Sequence, residues 1–520
     1  MKRKIIAWVV AASFLCSQTG FAQMIVTDGK TDTTVNVNGN VTDIHTNTVS
    51  GNTGFNSFKQ FDVWMNNTVN LHLKDNMNNL VNLVHDSATK IDGVLNAFKN
   101  GKIGGNVFFL NPNGIAVGAT GIVNVGALTL ATPTKEFMDS VISSDKSVSS
   151  LVTKAILAGD IPINPTGTIS VKGKINAYDG VGIDGGNVEI AKTGEIKTLK
   201  ASEIVNMSGV NDTEVVIKDG KVVIKSQNDA IISGKIIADG GENVNGADIS
   251  ITAKNDIEML DGAHISSSGN GINSSGGSIY IFADNDAAFN NGALIEAKGG
   301  LTGNGGFIEF SGKKTVNLNG GIFDASAKNG LLGNIFIDPA TININAVGGY
   351  ATYLNGGNYL LQADNDINIG AGVALLASGA NVKMESKIIN IGNNAKIDVG
   401  IGDITLEASA KDENHVIGTA ASSIDIGQNV ELIGKNISIT AESSNKYEST
   451  STGGGNMTDD LGSLLNGGSG VDIKNLLNMA VGAILPQIKE QTGDSLDVAF
   501  AYSEAKSGIK IGDGTKITAQ

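Results

Sequence analysis

The sequence predicts an all-β fold, a parallel β-helix of stacked strand-and-turn coils, and three observations carry that expectation. The first is composition: Gly (68) and Asn (56) abound, while Pro (6) and aromatic residues (5%) are scarce. Gly and Asn tolerate the positive φ of tight turns, and the Ile and Val between them favour short strands. The second is a set of imperfect copies, "GADISITAKNDIEMLDGAHISSSGNG", "GGSIYIFADNDAAFNNGALIEAKGG", "GGFIEFSGKKTVNLNGGIFDASAKNG" and "GNIFIDPATININ". Ile249, Ile279, Ile308 and Ile335 take equivalent places in them, at separations of 30, 29 and 27 residues. The third is the tetrapeptide I-x-I-G, which begins at Ile367, Ile389, Ile424 and Ile509.

Each copy holds three short alternating runs, for example Ile249/Ile251, Ile257/Met259 and Ala263/Ile265. Alternation turns every second side chain to one face. No unit can bury that face alone, so units of 20 to 30 residues stacked in chain order are expected to share a core. Residues 166–440 have room for about ten to thirteen such coils, at about 4.8 Å per coil.

The elements follow in order. The chain opens "MKRKIIAWVVAASFLCSQTGFAQ", with basic Lys2, Arg3 and Lys4, an apolar run from Ile5 to Leu15, and the small-x-small Gly20-Phe21-Ala22. That is a signal peptide (1–22) with cleavage expected after Ala22, too short to span a bilayer. Cys16 lies within it, after bulky Phe14 and Leu15 rather than the small residues of a lipoprotein site. The mature chain therefore has no cysteine and no disulfide. Without Lys2, Arg3 and Lys4 the 37 basic residues fall to 34 against 52 acidic ones, a formal charge of −18. Such a chain is a poor candidate for binding nucleic acid or anionic lipid.

Residues 23–165 form the next unit, with a helical extension over 132–160. There "TPTKEFMDSVISSDKSVSSLVTKAILAGD" offers Thr132 and Pro133 as cap and first position, followed by apolar Phe137, Met138, Val141 and Ile142. The repeats occupy 166–440. An insertion spans 441–498, with an amphipathic helix at 472–485 capped by Asp472 and ended by Pro486. The repeat resumes over 499–520 and is expected to be truncated, since "KITAQ" ends mid-unit.

Little in this pattern points to catalysis. His45, His72, His85, His264 and His415 show no metal-ligand spacing, and no cofactor is expected. "SGKKT" (311–315) lacks the first glycine of a phosphate loop. Asp-Asn runs such as "ADNDAAFNN" read as corner turns. The rival class is a β-helix enzyme that degrades polysaccharides, yet no carboxylate cluster with Lys or Arg stands out.

Between two apolar runs stands Asn111-Pro112-Asn113-Gly114-Ile115, a β-turn in which Pro112 sets φ and Asn113 and Gly114 tolerate the bend. The flanking text has a resemblance. "GNTGFNSFKQFDV" (51–63), "NLVHDSATKIDGVLNA" (82–97) and "FFLNPNGIAVGATGIVNVGALTLATP" (108–133) resemble the N-terminal secretion domain of two-partner-secretion exoproteins, the filamentous-haemagglutinin family. The wording looks closest to its leukotoxin-type filamentous adhesin branch, and "LLGNIFIDPATININ" (331–345) resembles a segment recurrent in haemagglutinin-like β-helices. One signature departs: the family's NPNL is absent, and "NLVHDS" stands in its place.

The resemblance implies a right-handed β-helix capped by this domain. It implies a non-enzymatic secreted adhesin, recognised in the periplasm by the small soluble repeats of an outer-membrane barrel transporter and threaded unfolded to the cell surface. Host cell-surface or glycan binding would come from downstream regions. It assigns the secretion motif to Asn111, Pro112, Asn113, Gly114 and Ile115, supported by Asn82, Leu83, Val84, Val107, Phe108, Phe109 and Leu110.

Overall fold

The computed structural model describes residues 25–198, 220–345, 352–377, 379–413, 417–446 and 502–519. The signal segment with Ala22 and the 472–485 helix lie outside the described residues, as does all of the 441–498 insertion after Lys446. What is described is a nearly closed parallel β-solenoid.

Each coil is three strands, and the sequence repeats are its register. Ile249–Ala253, Ile257–Met259 and His264–Ser266 make one coil. Ser278–Ala283, Asp286–Asn290 and Leu294–Glu296 stack on them in parallel. Ile249 lies opposite Ile279, Ile279 opposite Ile308, and Ile308 opposite Ile335. The I-x-I-G copies obey the same rule, with Ile367, Ile389, Ile424 and Ile509 in one column. That ladder contains ten strands from Thr168–Val171 to Ile417–Ile426.

Alternation explains the core. Ile249, Ile251, Ile257, Met259 and Ile265 are at most 1% exposed, each contributing about 1.5–3 kcal/mol by leaving water. Because identical positions stack, one continuous core runs the length of the array. Asparagines form a second kind of column: Asn343 donates to Asn317, Asn368 to Asn343 and Asn390 to Asn368, at 2.8–3.2 Å.

The N-terminal end is closed by antiparallel pairing. Ile25–Thr27 pairs with Thr53–Val63, and Thr33–Asn38 with Val41–Thr46, so the first parallel rung presents no bare edge there.

Two helices lie on the outside, α1 (Lys135–Val141) and α2 (Ser150–Ala158). The expected cap at Thr132 and Pro133 is corrected. Pro133 is held extended in a bridge to Ile163, and the N-cap is Thr134, whose side chain accepts from Phe137 N. Thr132 is instead buried, and its hydroxyl accepts from Gly186 N. The "KDENHVIGTAASS" stretch (411–423) lies within the repeats. Its described residues lengthen the strands Ile404–Glu413 and Ile417–Ile426, which pair along their whole length with Ile437–Lys446 and Tyr502–Ile511.

Candidate functional site: the Asn-Pro-Asn-Gly turn

The turn at 111–114 joins the strand Asn106–Leu110 to the strand Ile115–Val117. Gly114 N donates to Asn111 O at 3.2 Å, which closes the β-turn. Asn113 N donates to Asn111 Oδ1 at 2.9 Å, the local bond that makes asparagine a good first turn residue. Gly114 sits at φ 108°, and a Cβ there would lie 2.9 Å from Thr168 O. Only glycine satisfies both constraints.

The same side chains tie this coil to the one beneath. Asn111 Nδ2 donates to Ser87 O and to Thr89 Oγ1, both at 2.9 Å. Asn113 Nδ2 donates to His85 O at 2.8 Å, and Thr89 N to Gly114 O at 3.0 Å. The segment His85–Thr89 is therefore stacked on the turn, and "NLVHDS" is its direct neighbour. Phe109 lies opposite Asn82 and Leu110 opposite Leu83. Asn82 Nδ2 reaches Phe108 O at 3.2 Å, while its Oδ1 accepts from Asn56 at 3.0 Å. The structure thus brings the predicted motif and every described supporting residue into one contact network.

Both faces of these strands are covered. Val84, Val107 and Phe109 point into the solenoid core. Leu83, Phe108 and Leu110 point outward, under Met138, Val141 and Ile156 of α1 and α2. All six residues of Asn79–Val84 are consequently buried. Asn111 is 0% exposed and Ile115 2%; Pro112 and Gly114 are buried and Asn113 is half-buried. The Asn111 side chain is thus enclosed within the folded coil, while that of Asn113 lies at its surface.

Sequence reasoning missed a second copy of the turn, although its signal was present. Asn164-Pro165-Thr166-Gly167 repeats the geometry one coil later: Gly167 N donates to Asn164 O at 3.0 Å and Thr166 N to Asn164 Oδ1 at 3.1 Å. Asn164 Nδ2 donates down to Pro112 O at 2.9 Å, and Asn228 Nδ2 in turn to Pro165 O at 2.7 Å. Unlike the first copy, Pro165 and Thr166 are exposed. Also missed were Asn56, Ser87, Thr89 and Asn164 as hydrogen-bond partners, because their relation to the motif exists only across coils.

His85 lies beside the turn, with Nε2 3.2 Å from Ser57 Oγ and 3.7 Å from Asp28 Oδ2. Burial, followed by the Lys30 charge, pushes its pKa down. Ser57 Oγ donates a hydrogen bond to Asp28 Oδ2 at 2.6 Å. A catalytic relay needs serine and carboxylate on opposite ring nitrogens; here both face Nε2. The other described histidines lie on strand faces: His45 stacks on His72, which bonds Asp43, and His264 bonds Glu296. Among the described residues no three His, Cys, Asp or Glu side chains are grouped to hold a metal, and no helix is long and apolar enough to cross a membrane.

Residues 23–271 match the family model of the TPS secretion domain. No curated protein matches the sequence. Among solved structures the chain is similar to the HMW1 secretion domain from Haemophilus influenzae, at 18% identity and a TM-score of 0.49, over 81% of this chain and 99% of that one.

Proposed function

We propose, from the premise that residues 23–271 are a TPS secretion domain and the chain a two-partner-secretion exoprotein, that it is the N-terminal portion of a non-enzymatic filamentous adhesin or leukotoxin-like protein. Such a domain implies export through a Gram-negative envelope by a partner outer-membrane transporter. On this reading the periplasmic repeats of that barrel engage the domain, and host cell-surface or glycan contacts belong to the rest of the protein.

One observation supports the secretion role of Asn111, Pro112, Asn113, Gly114 and Ile115. Asn111 bonds Ser87 and Thr89, Asn113 bonds His85, Pro112 O accepts from Asn164, and the turn closes on itself. The motif therefore acts by shaping the first coils, and the barrel reads either the chain before these bonds close or the surface they organise. Coils with little stability alone suit this route, because each can dock on its predecessor as it emerges.

The test is export from a Gram-negative host carrying the partner barrel. Asn111→Ala and Asn113→Ala are expected to leave the protein in the periplasm or degraded there, whereas Tyr280→Ser, far from the turn, is expected to be secreted normally. Normal secretion of both asparagine variants refutes the assignment. Cleavage of pectin- or chitin-like polymers by the secreted protein would refute the non-enzymatic reading.

A further inference from the structure

The outward face of one sheet changes character over four coils. Its outward residues are Ser250 and Thr252 on one side, and Lys383, Glu385, Thr405 and Glu407 on the other, as a solvated strand face requires. Between them the ladder runs Tyr280, Glu309, Phe336 and Leu360, with Phe282 and Phe307 beside it. Tyr280 is 42% exposed, and its ring centroid lies 5.4 Å from that of Phe307. Phe282, Phe307 and Phe336 are half-buried.

Glu309 is therefore set among rings: Tyr280 above, Phe336 below and Phe307 on its own strand. Asp338 follows on the next coil, where its backbone N–H donates to Ser311 Oγ at 3.1 Å, and Asp364 one coil further. Among the described residues none of these three carboxylates forms an ion pair. Two nearby lysines are engaged elsewhere, Lys313 with Asp284 at 2.6 Å and Lys383 with Glu385 and Glu407.

We propose that this face docks a lysine- or arginine-bearing segment of a partner protein, its cationic group seated against Glu309 and the rings of Tyr280, Phe307 and Phe336. A cation gains there from the ring faces and the carboxylate together. Charge complementarity selects this occupant, since Glu309, Asp338 and Asp364 have no ion-pair partner among the described residues and Glu309 stands beside ring faces. Burial first, then Asp338, raises the pKa of Glu309, and burial, then Asp364, that of Asp338. A bound cation relieves that crowding.

The experiment uses the chain 23–520 and a fluorescein-labelled nona-arginine peptide, followed by anisotropy at low salt and neutral pH. Tyr280→Ser, Phe336→Leu and Glu309→Gln are each expected to weaken binding about threefold or more. Asp261→Asn, which removes an exposed carboxylate paired with Lys192, is expected to change it less than twofold. Circular dichroism checks that each variant is folded, and Phe336→Leu keeps apolar bulk while removing the ring. Equal losses for Glu309→Gln and Asp261→Asn, with no loss in the ring variants, would mean diffuse attraction to an acidic rod and overturn the proposal. So would no peptide binding, or Tyr280-dependent binding of a neutral oligosaccharide in its place.

Discussion

Replacing Asn111, itself 0% exposed, by alanine removes three hydrogen bonds: to Ser87 O, to Thr89 Oγ1 and from Asn113 N, all at 2.9 Å. Each stranded partner costs roughly 1–3 kcal/mol when water cannot replace the lost bond. Thr89 Oγ1 can turn to a new partner, so the expected loss is about 3–5 kcal/mol rather than the full sum. Asn164→Ala is the matched control. It loses the bond to Pro112 O and two local bonds to Thr166, but the turn is partly exposed and water compensates, so about 0.5–1.5 kcal/mol is expected. Hydrogen exchange by mass spectrometry on the two purified variants reads both local sites. Asn111→Ala should lose protection across 85–89 and 111–115, while Asn164→Ala changes little outside 164–168. An equal or smaller effect for Asn111→Ala would show that the buried turn does not hold these coils together. Secretion adds a second readout: the export defect should follow the stability loss, because a wholly buried side chain cannot be read directly on the folded domain.

Three further outcomes are expected. Gly114→Ala must accept φ 108° and a Cβ 2.9 Å from Thr168 O, so it should destabilise the domain by about 1–3 kcal/mol in urea unfolding, whereas Gly29→Ala, with open space around its Cβ, should cost less. Phe108→Ala opens a hole between the strand and α1–α2 and should cost about 3–5 kcal/mol, seen as faster proteolysis within 135–158. The folded-state pKa of His85 is depressed, so the unfolded chain binds the proton more readily. Its contribution is full above the unfolded value of about 6.5 and is lost as pH falls below it, so the thermal midpoint of the N-terminal coils should drop on acidification through that range, and less in His85→Gln. Glu296, held down at about 2 chiefly by its bond to His264, acts at lower pH: its contribution is present above the ordinary carboxylate range and is lost as pH falls through that range toward 2, an effect that Glu296→Gln should remove.

Much of the fold was legible because solenoid register is written in one dimension. Ile249, Ile279, Ile308 and Ile335 can be aligned by eye, and stacking makes that alignment the hydrogen-bonded register. Helix boundaries were less legible. Thr132, Pro133 and Thr134 all suit an N-terminus, and the choice fell to Thr134 because Pro133 is bridged to Ile163. The turn at 111–114 could be recognised from its residue types, but its equivalence with 164–167 was hidden by the long helical excursion between them.

Local backbone preference and alternation at every second residue are enough to set the period, the inward and outward faces, and the turn chemistry. What each polar turn residue does depends on its place in the stack. Asn111 and Asn164 have the same local geometry, yet one is fully buried and holds His85–Thr89, while the other is half-buried beside exposed Pro165 and Thr166. Likewise Tyr280, Glu309 and Phe336 are about 30 residues apart in sequence and become neighbours only because parallel strands stack one coil on the next. Burial and cross-coil bonding depend on what lies above and below in the stack, and no local stretch of chain encodes that.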